Sequence, residues 1–284
     1  MIGNMMSDKL QQFYLGLTSN HFTMNLSLEG KWALVCGSTQ GIGLAIAEEL
    51  ASLGANCILM ARNEGALKEA IEKLEISDRQ LHEYRVADFS KPEQVRNEIN
   101  ELVAAQTIHI LINNTGGPPA GAAFDAKEEE FLYAFNQHLI CNHILVKAVV
   151  PGMKEAGYGR IINIISTSVR IPHKNLGVSN TIRGAVASWA KTLSNELGEF
   201  NITVNNILPG YTTTARLKTV IEKNAEKSKA GKDTIEREMI EGIPMKRFGD
   251  PREIASVAAF LASPAASYVN GISIPVDGGR TGSI

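Results

Sequence analysis

Three glycines, Gly37, Gly41 and Gly43, follow the apolar run 32–35 and precede Ile42, Ile46, Ala47, Leu50 and Leu53 at helical spacing. Strand, glycine turn and helix in that order make a phosphate cradle. Gly37 lets the chain turn off the strand, Gly41 lets backbone approach a phosphate, and Gly43 lets the helix pack on the sheet. The free N–H groups of the helix start then face an anion, which is how a dinucleotide pyrophosphate is held. A glycine-rich turn without a ligand is the bland alternative, and the flanking strand and helix weigh against it. The next strand, expected over 56–61, ends in Ala61-Arg62, where the adenine ribose of a dinucleotide lies. A carboxylate there would accept from the ribose hydroxyls, whereas an Arg pairs with a 2′-phosphate. Arg62 therefore points to NADP ahead of NAD, and Glu64 close by is explained by the dipole of the helix it begins.

The spacing is GxxxGxG, not the GxGxxG of the general dinucleotide fingerprint. It resembles the TGxxxGxG turn of the short-chain dehydrogenase/reductase family, with Cys36 where the family carries Thr, so one turn hydrogen bond should be weaker. Further motifs carry the resemblance from about Leu28 to Gly279. Asp88-Phe89 resembles the acidic clamp on the adenine edge, with a plain turn residue before the helix at Pro92 as the bland alternative. The run Asn113-Asn114-Thr115-Gly116 resembles the NNAG motif of the cofactor cleft. Residues 203–210 resemble the strand and PG turn beside the nicotinamide, and residues 244–279 the terminal helix and seventh strand. The resemblance implies cofactor contacts at Gly37, Ser38, Gln40, Gly41, Ile42, Gly43, Arg62, Asp88, Phe89, Asn114, Thr115, Gly116, Arg183, Pro209, Gly210 and Thr212. Gln40 stands where NADP-preferring members often carry a second basic residue, so the preference is expected to be incomplete.

The family transfers hydride between nicotinamide and a carbonyl or alcohol, and the resemblance implies that reaction here, in the manner of the 3-oxoacyl-[acyl-carrier-protein] reductases. A Tyr is its acid/base, a Lys four residues later holds the ribose and lowers the Tyr pKa, a Ser polarises the substrate oxygen, and an Asn supports a water relay. Counting back from Pro209-Gly210 places Ser166 on the Ser, Ser179 on the Tyr and Arg183 on the Lys. Counting from KAVVPGM places His138 on the Asn, with Asn136 two residues earlier. One role in four keeps its residue. A Ser hydroxyl ionises far above neutrality and cannot replace a tuned phenol. Arg183 can still hydrogen-bond a ribose, because guanidinium is a donor fork that stays charged. Two other side chains could supply the proton: His173, with an ordinary pKa of about 6.5, and Tyr211, directly after the PG turn. An idle loop His and a packed Tyr are their bland alternatives, and His138 reads as a core or supporting residue.

Positioning these groups takes the remaining elements. Asn63 should cap a helix carrying Leu67, Ile71 and Leu74. A strand at 83–86 and the apolar run IHILINN lead to the cleft, and GPPAG, stiffened by two prolines, forms a substrate wall or a plain connection. Long helices are expected over 128–153 and 178–200, separated by the strand RIINIIS. Residues 217–243, rich in Lys and Glu with a weak apolar face, read as a solvated flap in the place of the family's substrate lid, bounded at about 213–243. Asp250 and Pro251 should start the last long helix. The expected fold is α/β: one Rossmann-like, doubly wound parallel sheet of seven strands at 29–284, behind an N-terminal extension at 1–28. That extension lacks the pattern of a signal peptide, and MNLSLEGK from Met24 is similar to a usual family start.

Composition narrows the classes. A chain of 284 residues, 44% hydrophobic, can bury one large core. Twenty-eight basic against 30 acidic residues, a net charge of −2, leave no footprint for nucleic acid or an anionic membrane. The cysteines Cys36, Cys57 and Cys141 are scattered and odd in number, arguing against a disulfide framework and a metal site and for a cytoplasmic setting. The reading is an NADP-dependent oxidoreductase with a non-standard acid, acting on a small-molecule substrate and assembled as a homodimer or homotetramer. A redox-silent dinucleotide-binding sensor or scaffold, or a dehydratase- or epimerase-like enzyme using the cofactor structurally, are the alternatives.

Overall fold

Short apolar runs delivered between amphipathic helices can only pair in parallel, because each return to the sheet passes through a helix. The computed structural model, which describes residues 24–74, 76–77 and 80–283, shows that outcome. Its strands are β1 (Trp32–Cys36), β2 (Asn56–Ala61), β3 (Glu83–Val86), β4 (Ile110–Asn113), β5 (Gly159–Ile164), β6 (Ile202–Pro209) and β7 (Ser273–Val276). They form one seven-stranded sheet in the order β3-β2-β1-β4-β5-β6-β7, parallel throughout. The order reverses between β1 and β4, and a crevice opens there at the carboxyl ends of the strands. The expected doubly wound single domain is what forms.

Alternation along the strands divides the core in two. Ala33, Val35, Leu59 and Ile112 face α1 (Gly41–Ser52), α2 (Glu64–Ile71) and α9 (Pro251–Ala262). Leu34, Ile58, Leu111 and Ile161 face α3 (Pro92–Ala105), α5 (Cys141–Ala156) and α6 (Gly177–Leu197). Leu28 is fully buried in the first layer and its N–H donates to Leu53 O at 2.8 Å, so the packed body includes it. Residues 1–23 lie outside the described residues. The expected caps are present: Asn63 accepts from Ala66 N at 3.1 Å, and Asp250 forms a capping box with Glu253.

Three expectations change in detail. The fourth strand starts at Ile110, because His109 is spent on β1, its Nδ1 accepting from Trp32 N at 3.2 Å. The helix expected over 128–153 is α4 (Glu128–Phe135) and α5 joined through a π-helical turn, Asn136–Ile140, a distortion that widens the backbone locally. The flap is two helices, α7 (Ala215–Ser228) and α8 (Lys232–Glu241), which bury Leu217, Ile221, Ala225 and Ile235 together with Tyr211 and Phe248. Its apolar residues are few but meet on one side, which a count of hydrophobicity along the run does not register. Among the described residues no helix is long and apolar enough to cross a membrane.

A polar ladder crosses the apolar sheet under the crevice. Asn113 Nδ2 donates to Asn163 Oδ1 at 2.8 Å, Asn163 Nδ2 to Asn206 Oδ1 at 2.9 Å, and Asn206 Nδ2 to Ser273 Oγ at 3.0 Å. The three asparagines are buried and in register across β4, β5 and β6. Buried amides of this kind hold strand ends only while every link is made. Asn163→Ala orphans Asn113 Nδ2 and Asn206 Oδ1 together and should lower stability by about 2–5 kcal/mol. Urea unfolding would measure this, and a loss below about 1 kcal/mol would show the ladder to be dispensable.

Candidate active site

The turn after β1 is built by contact distances that only glycine permits. Gly37 and Gly41 have φ of +59° and +58°, and a Cβ on Gly43 would lie 2.2 Å from Gly37 O. Asn114, at the end of β4, closes the turn from the other side, its Nδ2 donating to Cys36 O at 3.2 Å and to Gly37 O at 3.1 Å. Cys36 is fully buried, and burial pushes its thiol up. At the start of α1, Gln40 makes no side-chain cap, no acid occupies the first turn, and the fully buried Ser38 Oγ has no partner. Free N–H groups, a glycine face and an orphaned hydroxyl fit a pyrophosphate. Thr214, the N-cap of α7, stands over the turn, 3.2 Å from where a Cβ on Gly41 would be.

At the end of β2, Arg62 is exposed. Glu64 Oε1 is engaged by Lys68 at 2.8 Å and by the Tyr84 hydroxyl at 3.1 Å, which turns that carboxylate towards α2 and β3. Asp88 Oδ1 accepts from Ser90 N at 2.9 Å, a turn contact that holds its carboxyl below its usual range, with Arg62 and Lys91 assisting. Phe89 is buried and its carbonyl accepts from Cys141 Sγ at 3.3 Å. Gly116 has open space around it, whereas Gly117 lies under Arg216, whose Nη1 donates to Gly117 O at 3.1 Å. GPPAG is thus clipped to α7 at one end; at the other, Gly121 N donates to Asn175 O at 2.8 Å, ahead of α6. Past β6, Gly210 N donates to Val276 O at 2.9 Å, and buried Thr212 returns its hydroxyl to Gly210 O at 3.2 Å. Pro209 and Gly210 therefore form a turn tied to β7, and Ile42 faces partly out of α1.

Ser166 is half-buried just beyond β5, its Oγ accepting from Ser168 N at 3.1 Å. Ser179 and Arg183 lie one turn apart on α6 and are both buried. Arg183 Nη1 donates to Ile164 O at 3.0 Å, so its head is aimed back to the end of β5. Burial, and then Arg216, bring the Arg183 pKa down to about 10, which leaves it charged at neutrality. In the π-helical turn the buried residue is His138, while Asn136 is exposed. His138 Nδ1 meets Thr115 Oγ1 at 2.5 Å, and its Nε2 is buried without a partner. Burial, with Arg183 and Arg216 in support, takes the His138 pKa down to about 3. It is a neutral ring between two cations.

The two candidate proton donors meet at a residue that the sequence motifs do not reach. Arg280 Nη2 donates to Tyr211 Oη at 3.1 Å, its guanidinium stacks 4.2 Å over the Tyr211 ring, and its Nη1 contacts His173 Nε2 at 3.4 Å. His173 Nε2 also lies 3.4 Å from Thr167 Oγ1, one residue past Ser166. Guanidinium only donates, so His173 Nε2 accepts and its proton sits on Nδ1. Burial and Arg280 lower the His173 pKa, so the ring takes up a second proton less readily, and Arg280 already occupies Nε2. Tyr211 is placed the other way round: its oxygen accepts from Arg280 and its own proton stays free to give. Arg216 and Arg280 carry no motif, and only their positions in the fold bring them here.

A sheet reversed at β1 and β4, a phosphate cradle at that reversal and a Ser beyond β5 define a nucleotide-dependent oxidoreductase scaffold. Residues 37–281 match the family described as enoyl-(acyl carrier protein) reductase. The chain belongs to the short-chain dehydrogenase/reductase family and is an enzyme of that family by descent. It is 32% identical over 254 residues to the NADPH-dependent reductase BacG of Bacillus subtilis, covering 89% of this chain and 98% of that one. To the 3-oxoacyl-[acyl-carrier-protein] reductase FabG of Vibrio harveyi it is 35% identical over 256 residues, again covering 89% and 98%. The crystal structure of L-sorbose reductase from Gluconobacter frateurii with NADPH and L-sorbose superposes with a TM-score of 0.86 at 31% identity, covering 92% of this chain and 100% of that one.

The buried imidazole makes stability depend on pH. The unfolded chain protonates His138 near its ordinary value of about 6.5, whereas the folded chain does so only near 3. Its contribution is therefore full above about pH 6.5 and is lost as pH falls towards 3. His138→Gln should flatten that acid slope in thermal melts taken between pH 7 and pH 4, relative to the unmodified chain. An unchanged slope would locate the titration elsewhere.

Proposed function

We propose that the protein reduces a small-molecule carbonyl compound with NADPH, using Tyr211 as proton donor in place of the residue lost at position 179. The observation that supports this most directly is the contact between Arg280 and the Tyr211 hydroxyl at 3.1 Å. A guanidinium that donates to the phenol oxygen orients the hydroxyl and leaves its proton free to be given, so Arg280 positions the donor. Bound in the cradle, NADPH would supply the hydride. Gly41 and the start of α1 would hold its pyrophosphate, Arg62 its 2′-phosphate, and Arg183 its nicotinamide ribose. Ser166 donates to the carbonyl oxygen and polarises it. The oxygen takes the electron pair of the breaking double bond and then the Tyr211 proton. His173, held through Thr167 and Arg280, positions this group and does not itself supply the proton. The helical pair α7–α8 serves as lid, since it stands over the phosphate turn and packs on Tyr211. Relatives acting on 3-oxoacyl groups and on a ketose support a carbonyl substrate and leave its remaining part open.

A second reading keeps a specific observation on its side. Arg183 is tied to Ile164 O and Ser179 has no acid to offer, so a redox-silent binding module on a competent scaffold is the rival. Turnover of NADPH with a broad carbonyl panel separates the two. In the first reading turnover exists and Tyr211→Phe lowers it by about 10² to 10⁴. In the second it arises only in the double variant Ser179→Tyr, Arg183→Lys.

We also propose a cytoplasmic homodimer or homotetramer. Leu145 and Val186, in the long helices α5 and α6, are buried within the protomer. Among the exposed apolar side chains, Phe124, Leu132, Tyr133 and Phe135 fall together on and before α4, and they support association there.

The cofactor preference follows from Arg62. Calorimetry should rank NADPH above NADH, and Arg62→Asp should invert the order by leaving a carboxylate for the ribose hydroxyls. Equal affinity for both cofactors in the unmodified chain would remove Arg62 from the role.

A further inference from the structure

Three arginines, the buried Arg160 and Arg183 and the more exposed Arg216, have donors taken by carbonyl oxygens. Arg160 donates to Gly159 O, Asn201 O and Ser263 O, Arg183 to Ile164 O, and Arg216 to Gly117 O and Pro118 O. Arg280 differs. Its guanidinium contacts are the neutral side chains of Tyr211 and His173, and among the described residues it has no carboxylate partner. Asp277, three residues before it, has spent its oxygens on Gly279 N at 3.0 Å and Thr281 N at 2.7 Å. Two of the five guanidinium N–H groups are engaged, one on each Nη, and the edge that carries Nε keeps its own N–H. That edge is held still by an aromatic ring on one face and an imidazole beside it.

We propose that Arg280 grips a free carboxylate of the substrate, so that the enzyme acts on a small oxo acid and not on a thioester or a neutral ketone. This deepens the carbonyl-reductase reading and rests on it. A planar guanidinium with two adjacent free donors matches the two oxygens of a carboxylate. The chemistry also has the right reach. Arg280 touches the hydroxyl that would protonate the carbonyl, and through His173 and Thr167 it adjoins Ser166. A carboxylate on Arg280 lies beside the Tyr211 hydroxyl, so the carbonyl that Tyr211 would protonate belongs close to it in the same small molecule, as in a 2-oxo or 3-oxo acid. Hydride adds to the carbonyl carbon from NADPH, the carbonyl π pair moves to oxygen, and Tyr211 delivers the proton. The product is a hydroxy acid, and the carboxylate is unchanged.

The test is the ratio of kcat/KM for an acid to that for its methyl ester, using 2-oxobutanoate and acetoacetate, beside calorimetric titration of the NADPH-loaded protein with oxamate. The acids should be preferred by about 10- to 100-fold, oxamate should bind, and Arg280→Met should bring the ratio close to unity and abolish oxamate binding. Because Arg280 also supports Tyr211, absolute rates can fall for acid and ester alike; only the ratio reports the carboxylate. Arg280→Lys, which keeps the charge and loses the fork, should give an intermediate ratio, and it carries the test if circular dichroism shows that the Met variant does not fold. Esters or neutral ketones turned over as well as acids, or a ratio unchanged in Arg280→Met, would overturn the proposal while leaving the reductase reading intact. Oxamate binding lost in Arg280→Met, with no carbonyl compound reduced, would keep the anion site and overturn the reduction instead. No oxamate binding and no turnover of any acid would count against both.

Discussion

Everything in the crevice depends on how closely β1, α1 and β4 approach one another at the glycine turn. Gly43 leaves no room for a Cβ against Gly37 O, and Asn114 ties the same turn to the end of β4 by two hydrogen bonds. This is the point where the sheet order reverses, so a single contact fixes both the phosphate cradle and the neighbouring strand that carries Thr115. Thr115 in turn meets His138, whose place in a π-helical turn sets the wall facing Arg183. A methyl group at Gly43 would therefore disturb more than phosphate binding, because close-packed interiors pass strain along.

The second constraint is electrostatic. The crevice holds Arg183 and Arg216 around a neutral imidazole, with Arg280 further along, and none of the three has a carboxylate partner among the described residues. Unpaired charge at low dielectric is unfavourable in the isolated fold and favourable once an anion arrives. Stability is given up at the place where binding needs it. The amide ladder beneath offsets part of this by locking the strand ends that present Ser166 and the turn after β6.

Most of the architecture was legible because period and punctuation decide it. The bounds of β2 and β3, the caps at Asn63 and Asp250, and the glycine turn follow from local chemistry, which a single sequence carries in full. The turn at 36–43 and the run 113–116, read as cofactor motifs, were legible as turns for the same reason: each is contiguous in the sequence. What lay hidden depends on distance in space. Asn113, Asn163 and Asn206 are isolated amides in three strands and become a ladder only when register aligns them. The π-helical turn has no propensity signal, since one inserted residue leaves the apolar pattern nearly unchanged. Arg216 lies in a run of mixed charge where a side chain reaching Gly117 looks like any solvated cation. Arg280 stands one residue beyond the last motif, and nothing near it in sequence hints at Tyr211 or His173.

The proposed site does without a Tyr and a Lys on α6, and that changes more than two side chains. When both sit on one helix, their separation is set by a single helical turn and is insensitive to the rest of the protein. In the proposed site the phenol would come from the turn after β6, the cation from the tail after β7, and the polarising hydroxyl from the end of β5. Their geometry is therefore set by the packing of the α7–α8 pair, because Tyr211 lies in the apolar cluster under those helices and against Phe248. The proposed donor cannot shift without that cluster shifting too. On this reading, closing the helical pair over the crevice and bringing the proton donor into register are one event, whereas a pair fixed on a single helix would be in register whether the cover is open or shut.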